Sequence, residues 1–412
     1  STKNILNAAN SVIKNNDNRM SKELWSAAEE GEKVEVYAAV NERDEAKHII
    51  DKIRKSHADG ASYSDIAILY RSNYLSRVLE ESCIYGSIPY RIYGGFKFFD
   101  RAEVKDALAY LRLAVSKTDN LAFERIINTP TRGLGTKTLD TIRNFAQINS
   151  LSLWEATIEV VQRELLTKRT AGLLLNFIAI IEDISARVVD LSLDKLLEIV
   201  IDKSGLIASY EEKNTEKDHQ KIENLKELIS AAKDFEPQIE LLEDNIDILQ
   251  EFLSFAVLEA GDMQADETID SIQLMTIHAS KGLEFKYVFI VAAEEGVFPP
   301  SAVINSEQAF DGEHSKKLQE KLAEERRLFY VAITRAMKGL TVSFAEVRNI
   351  FGRSSFQMRS RFLSEIDSEH LSEVKALRQN SIAKQKTKSN FGTSPFDFLK
   401  SNSKDNNFKK GD

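Results

Sequence analysis

One short segment combines residue types that can bind an anion. Residues 276–285, with the sequence TIHASKGLEF, form a polar loop between two apolar stretches. Small residues beside Lys281 and Gly282 let backbone N–H groups approach a phosphate. A loop at the carboxyl edge of a parallel sheet is where α/β proteins bind ligands. The segment therefore predicts an anion site, although an ordinary connection with a helix cap at Ser280 fits the same pattern.

A second segment places an arginine in line with an apolar stripe. Within residues 324–336, EERRLFYVAITRA, helical spacing puts Leu328, Ala332 and Arg335 on one face. A guanidinium there is costly unless it meets a buried acid or projects from the domain edge toward an anion. A snorkelling arginine, or one favoured by the dipole at the helix C-terminus, explains the position equally well.

Two other kinds of site are missing from the sequence. None of the 17 glycines is followed by another five residues later, so the chain has no phosphate loop of the G-x-x-x-x-G-K-[ST] type. The six histidines show no pair at metal-ligand spacing, and we expect no metal site.

Composition limits the class of protein that can position these segments. With 412 residues, 42% hydrophobic and 29% charged, the chain can form two or three domains at roughly 150 residues each, which excludes a disordered or fibrous protein. The single cysteine and the lack of an apolar run of about 20 residues favour a cytoplasmic protein without a membrane partner. The net charge of −9 argues weakly against a protein wrapped in nucleic acid.

Hydrophobic patterning predicts an α/β fold in which a helical region interrupts a parallel sheet. Short β-rich runs alternate with helical patterns at both ends of the chain, whereas residues 101–270 read as successive amphipathic helices. We expect a long helix over residues 315–337 and solvated acidic faces over residues 211–251. The predicted divisions are a sheet domain in two parts (1–97 and 271–368), a helical insertion (98–270) and a disordered basic tail (369–412).

Four more stretches complete a family pattern. In chain order they are ILYRSN at 68–73, IPYRIYGG at 88–95, FFDRAE at 98–103 and NTPTRGLG at 128–135. With the two segments above, they make the chain resemble superfamily 1 DNA helicases of the UvrD/PcrA/Rep type from Ser1 to about Ile366. The two segments are similar to motifs V and VI of that family.

The resemblance implies a fold and half of a nucleotide site. These helicases sandwich ATP between two RecA-like domains, and the first domain carries the phosphate loop and the Mg²⁺-binding acids. The present chain is similar to the second domain, 2A, with its helical insertion, 2B. It begins at the Ser-Thr of a family motif that reads Asn-Tyr-Arg-Ser-Thr, so we expect the C-terminal part of a helicase, unable to hydrolyse ATP or unwind DNA alone.

The resemblance also implies roles at the nucleotide. Arg335 matches the catalytic arginine that reaches the ATP γ-phosphate from across the domain cleft. Glu284 matches the acid that hydrogen-bonds the ribose, and Lys281 and Gly282 shape the same edge. ATP and Mg²⁺ would be shared with the first RecA-like domain. Glu294-Glu295 is interpreted as a loop, because the metal-binding acids belong to that other domain.

Further residues match DNA contacts in the family. Thr276, His278 and Arg71 correspond to contacts with the single-stranded backbone, although a lone histidine is more often a satisfied core residue. The resemblance makes Gly133, Leu134, Gly135 and Thr136 a hairpin that grips duplex phosphate, with charge added by Arg132 and Lys137. A plain helix-to-helix turn is the alternative for that hairpin.

The expected function is the C-terminal motor part of an ATP-dependent 3′-to-5′ DNA helicase in repair or replication restart. Its expected partners are single-stranded DNA, a duplex junction, the N-terminal RecA-like half and repair proteins. The competing hypothesis is a stand-alone DNA-binding or regulatory module without ATPase activity.

Overall fold

The fold is organised around one parallel β-sheet. The computed structural model describes residues 1–16, 25, 27–237, 245–261, 268–304, 312–350 and 352–376. Its strands are β1 (Val34–Asn41), β2 (Ile66–Tyr70), β3 (Tyr90–Ile92), β4 (Ile272–Thr276), β5 (Phe285–Ile290), β6 (Ala336–Ile350), β7 (Arg353–Phe356) and β8 (Leu371–Lys375). They lie in the order β3-β4-β2-β5-β6-β1-β8, with every neighbouring pair parallel, and β7 pairs antiparallel with β6.

Helices cover both faces of this sheet, because the alternating side chains of its strands are apolar on both sides. In β2, Ala67 and Leu69 belong to one hydrophobic cluster and Ile66 and Ile68 to another. The first cluster contains residues of α1 (Lys3–Ile13), α14 (Gly312–Thr334) and α15 (Arg361–Ser364); the second contains residues of α2 (Glu42–Ala58) and α3 (Ser76–Tyr85). A short helix, α13 (Ser301–Ile304), precedes α14.

Nine helices occupy the chain between β3 and β4 in the described residues, and they have a hydrophobic core of their own. That core runs from Phe98 to Ala256 and shares no member with the two clusters on the sheet. The helices are α4 (Ala102–Val115), α5 (Asn120–Ile126), α6 (Thr136–Asn149), α7 (Leu153–Gln162), α8 (Lys168–Ser185), α9 (Leu193–Ser204), α10 (Leu206–Lys213), α11 (Glu216–Asp234) and α12 (Asn245–Gly261). The predicted fold class is confirmed, while the domain boundaries stay a prediction because residues 1–376 form one compact unit.

Helix α11 joins the helical region to the sheet region through buried charges. Arg77 of α3 donates from Nε to Glu227 Oε1 at 2.6 Å and pairs with Asp234 at 3.3 Å. Arg101 of the helical region donates to Ser76 Oγ of α3 at 2.6 Å and to Asn224 Oδ1 of α11 at 2.8 Å. Burial, opposed by Arg77, raises the pKa of Glu227 to about 7. The expectation that these acidic helices are solvated is wrong for Glu227, because its partner lies 150 residues away in sequence.

The acid pair Glu294-Glu295 lies in the connection after β5, as predicted, and its side chains form ion pairs within the protein. Arg348 donates to both carboxylate oxygens of Glu294, at 2.8 and 2.7 Å, and also pairs with Glu45 of α2. Glu295 accepts hydrogen bonds from Arg361. This acid pair therefore connects α2, β6 and α15. Among the described residues, no group of three or more His, Cys, Asp or Glu side chains could hold a metal ion.

The end of the described chain differs from the sequence prediction. Leu371–Lys375 falls in the predicted disordered tail but forms β8, which pairs in parallel with β1 from Val34↔Leu371 onward. The prediction is wrong for these residues because hydrogen bonds to the open side of β1, which composition does not reveal, order them. Residues 377–412 lie outside the described residues. No described helix is long and apolar enough to cross a membrane.

Candidate nucleotide and nucleic-acid sites

A cleft at the carboxyl edge of the sheet brings together the three predicted single-strand contacts. Strands β2 and β4 end side by side, with Tyr70 opposite Thr276, and the Ile277 amide donates to Tyr70 O at 3.0 Å. The residues that follow each strand enter a cleft of about 530 Å³. It is lined by Arg71, Asn73, Tyr93, Gly94, Glu216, Gln220, Thr276, His278 and Ala279.

Arg71 is held in this cleft by an acid that sequence reasoning missed. Its Nε and Nη2 donate to the two carboxylate oxygens of Glu325 on α14, at 2.8 and 2.7 Å. The two side chains are only 14% and 10% exposed. Glu325 stands on the helix face of Leu328, Ala332 and Arg335, and that spacing is a signal that could have drawn attention to it.

The side chain of Thr276 takes part in a hydrogen bond within the loop, whereas the side chain of His278 is exposed. Thr276 Oγ1 accepts a hydrogen bond from the Ala279 amide at 3.3 Å, which helps to turn the chain. Ser280 does not cap a helix but donates to Ile277 O within the same turn, at 2.7 Å. His278 is exposed rather than a core residue. Partial desolvation, followed by the Arg71 guanidinium, lowers the pKa of His278, so its imidazole is neutral at pH 7.

The remaining wall of the cleft comes from residues that the sequence analysis did not assign. Gly94 has φ +73°, a left-handed conformation that favours glycine, while a Cβ at that position would lie at an ordinary contact distance of 3.8 Å from Ala279 Cβ. Tyr93 beside it is 44% exposed. On the helical side, Asn73 Nδ2 donates to Gln220 Oε1 of α11 at 3.2 Å. The cleft therefore lies between the sheet and α11.

Two of the predicted nucleotide contacts, Glu284 and Arg335, lie at the opposite edge of the sheet. Because β4 and β5 are parallel, residues 277–284 must return from the carboxyl end of β4 to the amino end of β5. Glu284, which directly precedes β5, is exposed at that amino edge, whereas Lys281 and Gly282 are exposed in the turn after β4, where the Lys281 amide donates to His278 O at 3.4 Å. Glu284 therefore does not lie at the carboxyl edge expected for the loop, because the chain crosses the sheet between two parallel strands.

Arg335 lies beside Glu284 and follows α14 rather than belonging to it. The helix ends at Thr334, and the Phe285 amide donates to Arg335 O at 2.9 Å, which brings Arg335 next to Glu284. The guanidinium is half-buried and donates to Leu283 O at 2.8 Å, Val331 O at 3.1 Å and Thr334 Oγ1 at 3.3 Å. An exposed carboxylate and a guanidinium on one open edge fit one side of a bound nucleotide.

The predicted hairpin belongs to the connection between α5 and α6, and it does not line the cleft. Gly133 has φ +77°, Gly135 is the N-cap residue of α6, and both are exposed with Thr136. Leu134 is buried and anchors the turn. Among the described residues, no acceptor is assigned to the amides of Gly135 and Thr136.

Arg132 corrects one expectation for this hairpin. Its guanidinium donates inward to Ile126 O at 2.9 Å and Thr129 O at 3.0 Å, and it stacks over the Phe177 ring at 5.4 Å. The prediction that it adds charge for a phosphate is wrong, because it satisfies carbonyls at the end of α5. Lys137 is exposed and keeps its charge at the surface.

Comparisons with known proteins identify related chains. A family model described as UvrD-like helicase C-terminal domain matches residues 1–347. The chain is 44% identical over 375 residues to DNA helicase II of Escherichia coli strain K12, covering 91% of this chain and 50% of that protein. It is 42% identical over 366 residues to the ATP-dependent DNA helicase PcrA of Staphylococcus aureus strain MRSA252, covering 89% and 48%. The chain thus spans about half the length of the curated relatives it matches.

Proposed function

The chain belongs to the family of UvrD-like helicase C-terminal domains, and from this we propose that it is the second half of an ATP-driven motor on single-stranded DNA. One observation carries the proposal. Glu284 and Arg335 stand together on an exposed edge of the sheet, while Arg71, Thr276 and His278 share a cleft at the other edge. A nucleotide edge and a nucleic-acid cleft on one rigid sheet are what such a motor requires.

At the nucleotide edge, we propose roles for four residues. Arg335 would bind the terminal phosphate, and its planar, permanently charged guanidinium suits developing charge on phosphoryl oxygens. To do so it must exchange its contacts with Leu283 O and Thr334 for the phosphate. Glu284 would accept from the ribose, with Lys281 and Gly282 beside it. ATP with Mg²⁺ supplies the phosphoryl-transfer free energy, and we assign the metal to the N-terminal half.

At the cleft, the proposed ligand is the backbone of a single strand. Arg71 offers a charged fork, Thr276 a hydroxyl and His278 a neutral imidazole, all of which suit phosphate or sugar rather than base edges. Such contacts bind without sequence preference and weaken as salt rises. The free amides of Gly135 and Thr136 would contact duplex phosphate ahead of the single strand.

The whole-protein activity extends this proposal. In it, closure of the two RecA-like halves on ATP draws the strand through the cleft in the 3′-to-5′ direction, in DNA repair or replication restart. The names of the relatives support helicase activity, since they are DNA helicase II and PcrA. Residues 1–412 alone would bind DNA without hydrolysing ATP, because the phosphate loop belongs to the partner half.

The test is Arg335→Ala in the complete gene product. We expect DNA-stimulated ATP hydrolysis to fall by about 10³-fold or more, as for arginine fingers elsewhere, with single-strand binding retained. The matched control is Arg327→Ala, an exposed arginine of α14 paired with Glu324 at 2.8 Å, which should keep its activity. Retained hydrolysis in Arg335→Ala would contradict the proposal. A product that binds single strands but never hydrolyses ATP would favour the DNA-binding module.

A further inference from the structure

Helix α14 connects the cleft to the nucleotide edge. Glu325 contacts Arg71 at the carboxyl edge of the sheet, and the helix ends at Thr334, next to Arg335 at the amino edge. The ten residues from Glu325 to Arg335 span about 15 Å at the rise of an α-helix. One element therefore carries the partner of a cleft arginine and the arginine of the other site.

The loop after β4 makes the same crossing, and the two connections are joined at both ends. At the amino edge, Arg335 Nη1 donates to Leu283 O at 2.8 Å. At the carboxyl edge, the Ile277 amide donates to Tyr70 O, and the next residue, Arg71, pairs with Glu325. Helix α14 and the loop after β4, joined by these contacts, therefore form a closed ring of connections on one face of the sheet. A displacement of one contact must be accompanied by a displacement of another.

Helix α14 is packed too firmly to absorb such a shift by bending. Arg326, the residue after Glu325, donates to both oxygens of Glu365 at 2.8 Å and to Asn16 Oδ1 at 2.6 Å. Phe329 is fully buried, with its ring 5.2 Å from that of Phe298 and 5.5 Å from that of Phe362. Close-packed interiors transmit displacement rather than dissipate it.

The Arg71 guanidinium has N–H donors that Glu325 does not use. Glu325 takes Nε and Nη2, and among the described residues no acceptor is assigned to Nη1. A planar guanidinium can therefore keep its bidentate acid on one side and bind an anion in the cleft on the other. Glu325 fixes the direction of that second side.

We propose that Glu325 is a positioning residue that transmits occupancy of the cleft to Arg335. A DNA phosphate bound at Nη1 shifts the guanidinium, the bidentate contact carries the shift to α14, and Arg335 is released from Leu283 O toward the nucleotide. The inference rests on the proposed function and adds to it the contact through which DNA would stimulate hydrolysis.

The test compares Glu325→Gln with Glu324→Gln in the complete gene product. Glu324 is the neighbouring acid, 73% exposed and paired only with Arg327 among the contacts assigned to it. ATP hydrolysis is measured with and without saturating oligo(dT), and single-strand affinity by fluorescence anisotropy. We expect Glu325→Gln to lower the ratio of DNA-stimulated to unstimulated ATP hydrolysis about tenfold. A factor of this size is typical of coupling between two sites. Its oligo(dT) affinity should not weaken, because the change removes a negative charge beside the strand.

Two further variants separate coupling from folding. In an Arg71→Ala background, Glu325→Gln should have no additional effect on the ratio, because the contact is already lost. Glu325→Asp, which keeps the charge on a shorter side chain, should restore part of the stimulation. An unchanged ratio in Glu325→Gln, or equal losses of ratio and affinity with a lower Tm, would overturn the inference. A wild-type product without DNA-stimulated hydrolysis would instead contradict the proposed function, and this inference with it.

Discussion

The charge balance around Arg71 depends on single acids rather than on a basic groove. Glu325 accepts hydrogen bonds from two nitrogens of Arg71, and Glu216 lines the same cleft. Glu223 lies behind them on α11, half-buried and hydrogen-bonded by Ser72. Desolvation raises the pKa of Glu223 to about 7, against the opposing effect of Arg71. A carboxyl group close enough to act on Arg71 therefore changes charge near physiological pH.

Glu223 should give the proposed single-strand binding a pH dependence. Its carboxyl is mostly neutral at pH 6 and mostly charged at pH 8, so a repulsive charge near the strand appears as pH rises. We expect oligo(dT) affinity to fall roughly threefold from pH 6 to pH 8, as one unit charge at several ångströms in a wet cleft would cause. Fluorescence anisotropy at constant ionic strength measures the change.

The control for this prediction compares substitutions of two glutamates in the helical region. Glu223→Gln should bind with an affinity that hardly varies between pH 6 and pH 8, whereas Glu212→Gln, at an exposed site, should follow the wild type. If Glu223→Gln keeps the full pH dependence, another group titrates in the cleft. His278 is then the next residue to substitute, although its lowered pKa confines its titration to the acid end of this range.

At the scale of elements, the hairpin before α6 shows how a turn can expose helix amides. Leu134 is 4% exposed and fixes the turn in the core, while Asn128 Oδ1 accepts from the amides of Arg132 and Leu134. Helix α6 then begins at an open N-terminus, where the helix dipole favours an anion. Position 135 can test this, because a Cβ there would meet nothing within 4 Å and φ is −83°.

Gly135→Asp should separate stability from duplex binding. Aspartate is a good N-cap residue, so we expect unchanged or slightly higher thermal stability. The added carboxylate occupies the place of the proposed duplex phosphate, so affinity for a duplex junction should fall severalfold while oligo(dT) affinity stays. Gly135→Asn, an equally good but neutral cap, is the matched control. Equal junction binding by both variants and the wild type would show that the duplex does not contact this turn.

At the scale of the whole molecule, buried charges hold the helical region against the sheet. Arg77 is 2% exposed and pairs with Glu227, Asp234 and Glu81. Further contacts follow along α11, including Lys233 Nζ to Gly352 O at 2.7 Å and Ser230 Oγ accepting from the Gly352 amide at 2.8 Å. Directional ionic contacts of this kind fix one arrangement of the helical core against the two clusters on the sheet, with which it has no member in common.

Removal of Arg77 should destabilise the protein in a pH-dependent way. Arg77→Ala leaves buried carboxylates without their counter-charge, which costs about 3–5 kcal/mol. Since burial already raises the pKa of Glu227 to about 7, and the loss of Arg77 raises that pKa further, a proton can replace the guanidinium at low pH. Urea denaturation should show a smaller loss of stability at pH 6 than at pH 8. Arg163→Ala, which breaks an exposed pair with Glu159, should cost at most about 1 kcal/mol at either pH.

Local patterns were sufficient to predict the fold class and many of its strands and helices. The runs that became β1, β2 and β5, and the helical periodicity that became α4, α9 and α11, are properties of consecutive residues, and hydrophobic burial makes them visible in the chain. The segments around Lys281 and Arg335 could likewise be recognised as chemically unusual from their neighbours alone.

Contacts between distant residues could not be predicted in this way. Arg71 and Glu325, which form an ion pair, are 254 positions apart in sequence, and Glu294 and Arg348 are 54 positions apart. Strand direction sent Glu284 and Arg335 to the edge opposite Thr276, and β1 ordered residues that composition assigned to a disordered tail. The sequence by itself determined the strands and helices named above, because those depend on short-range periodicity. Only the tertiary structure decided which charges are paired and which edge each loop reaches, because pairing and desolvation depend on neighbours that folding brings together.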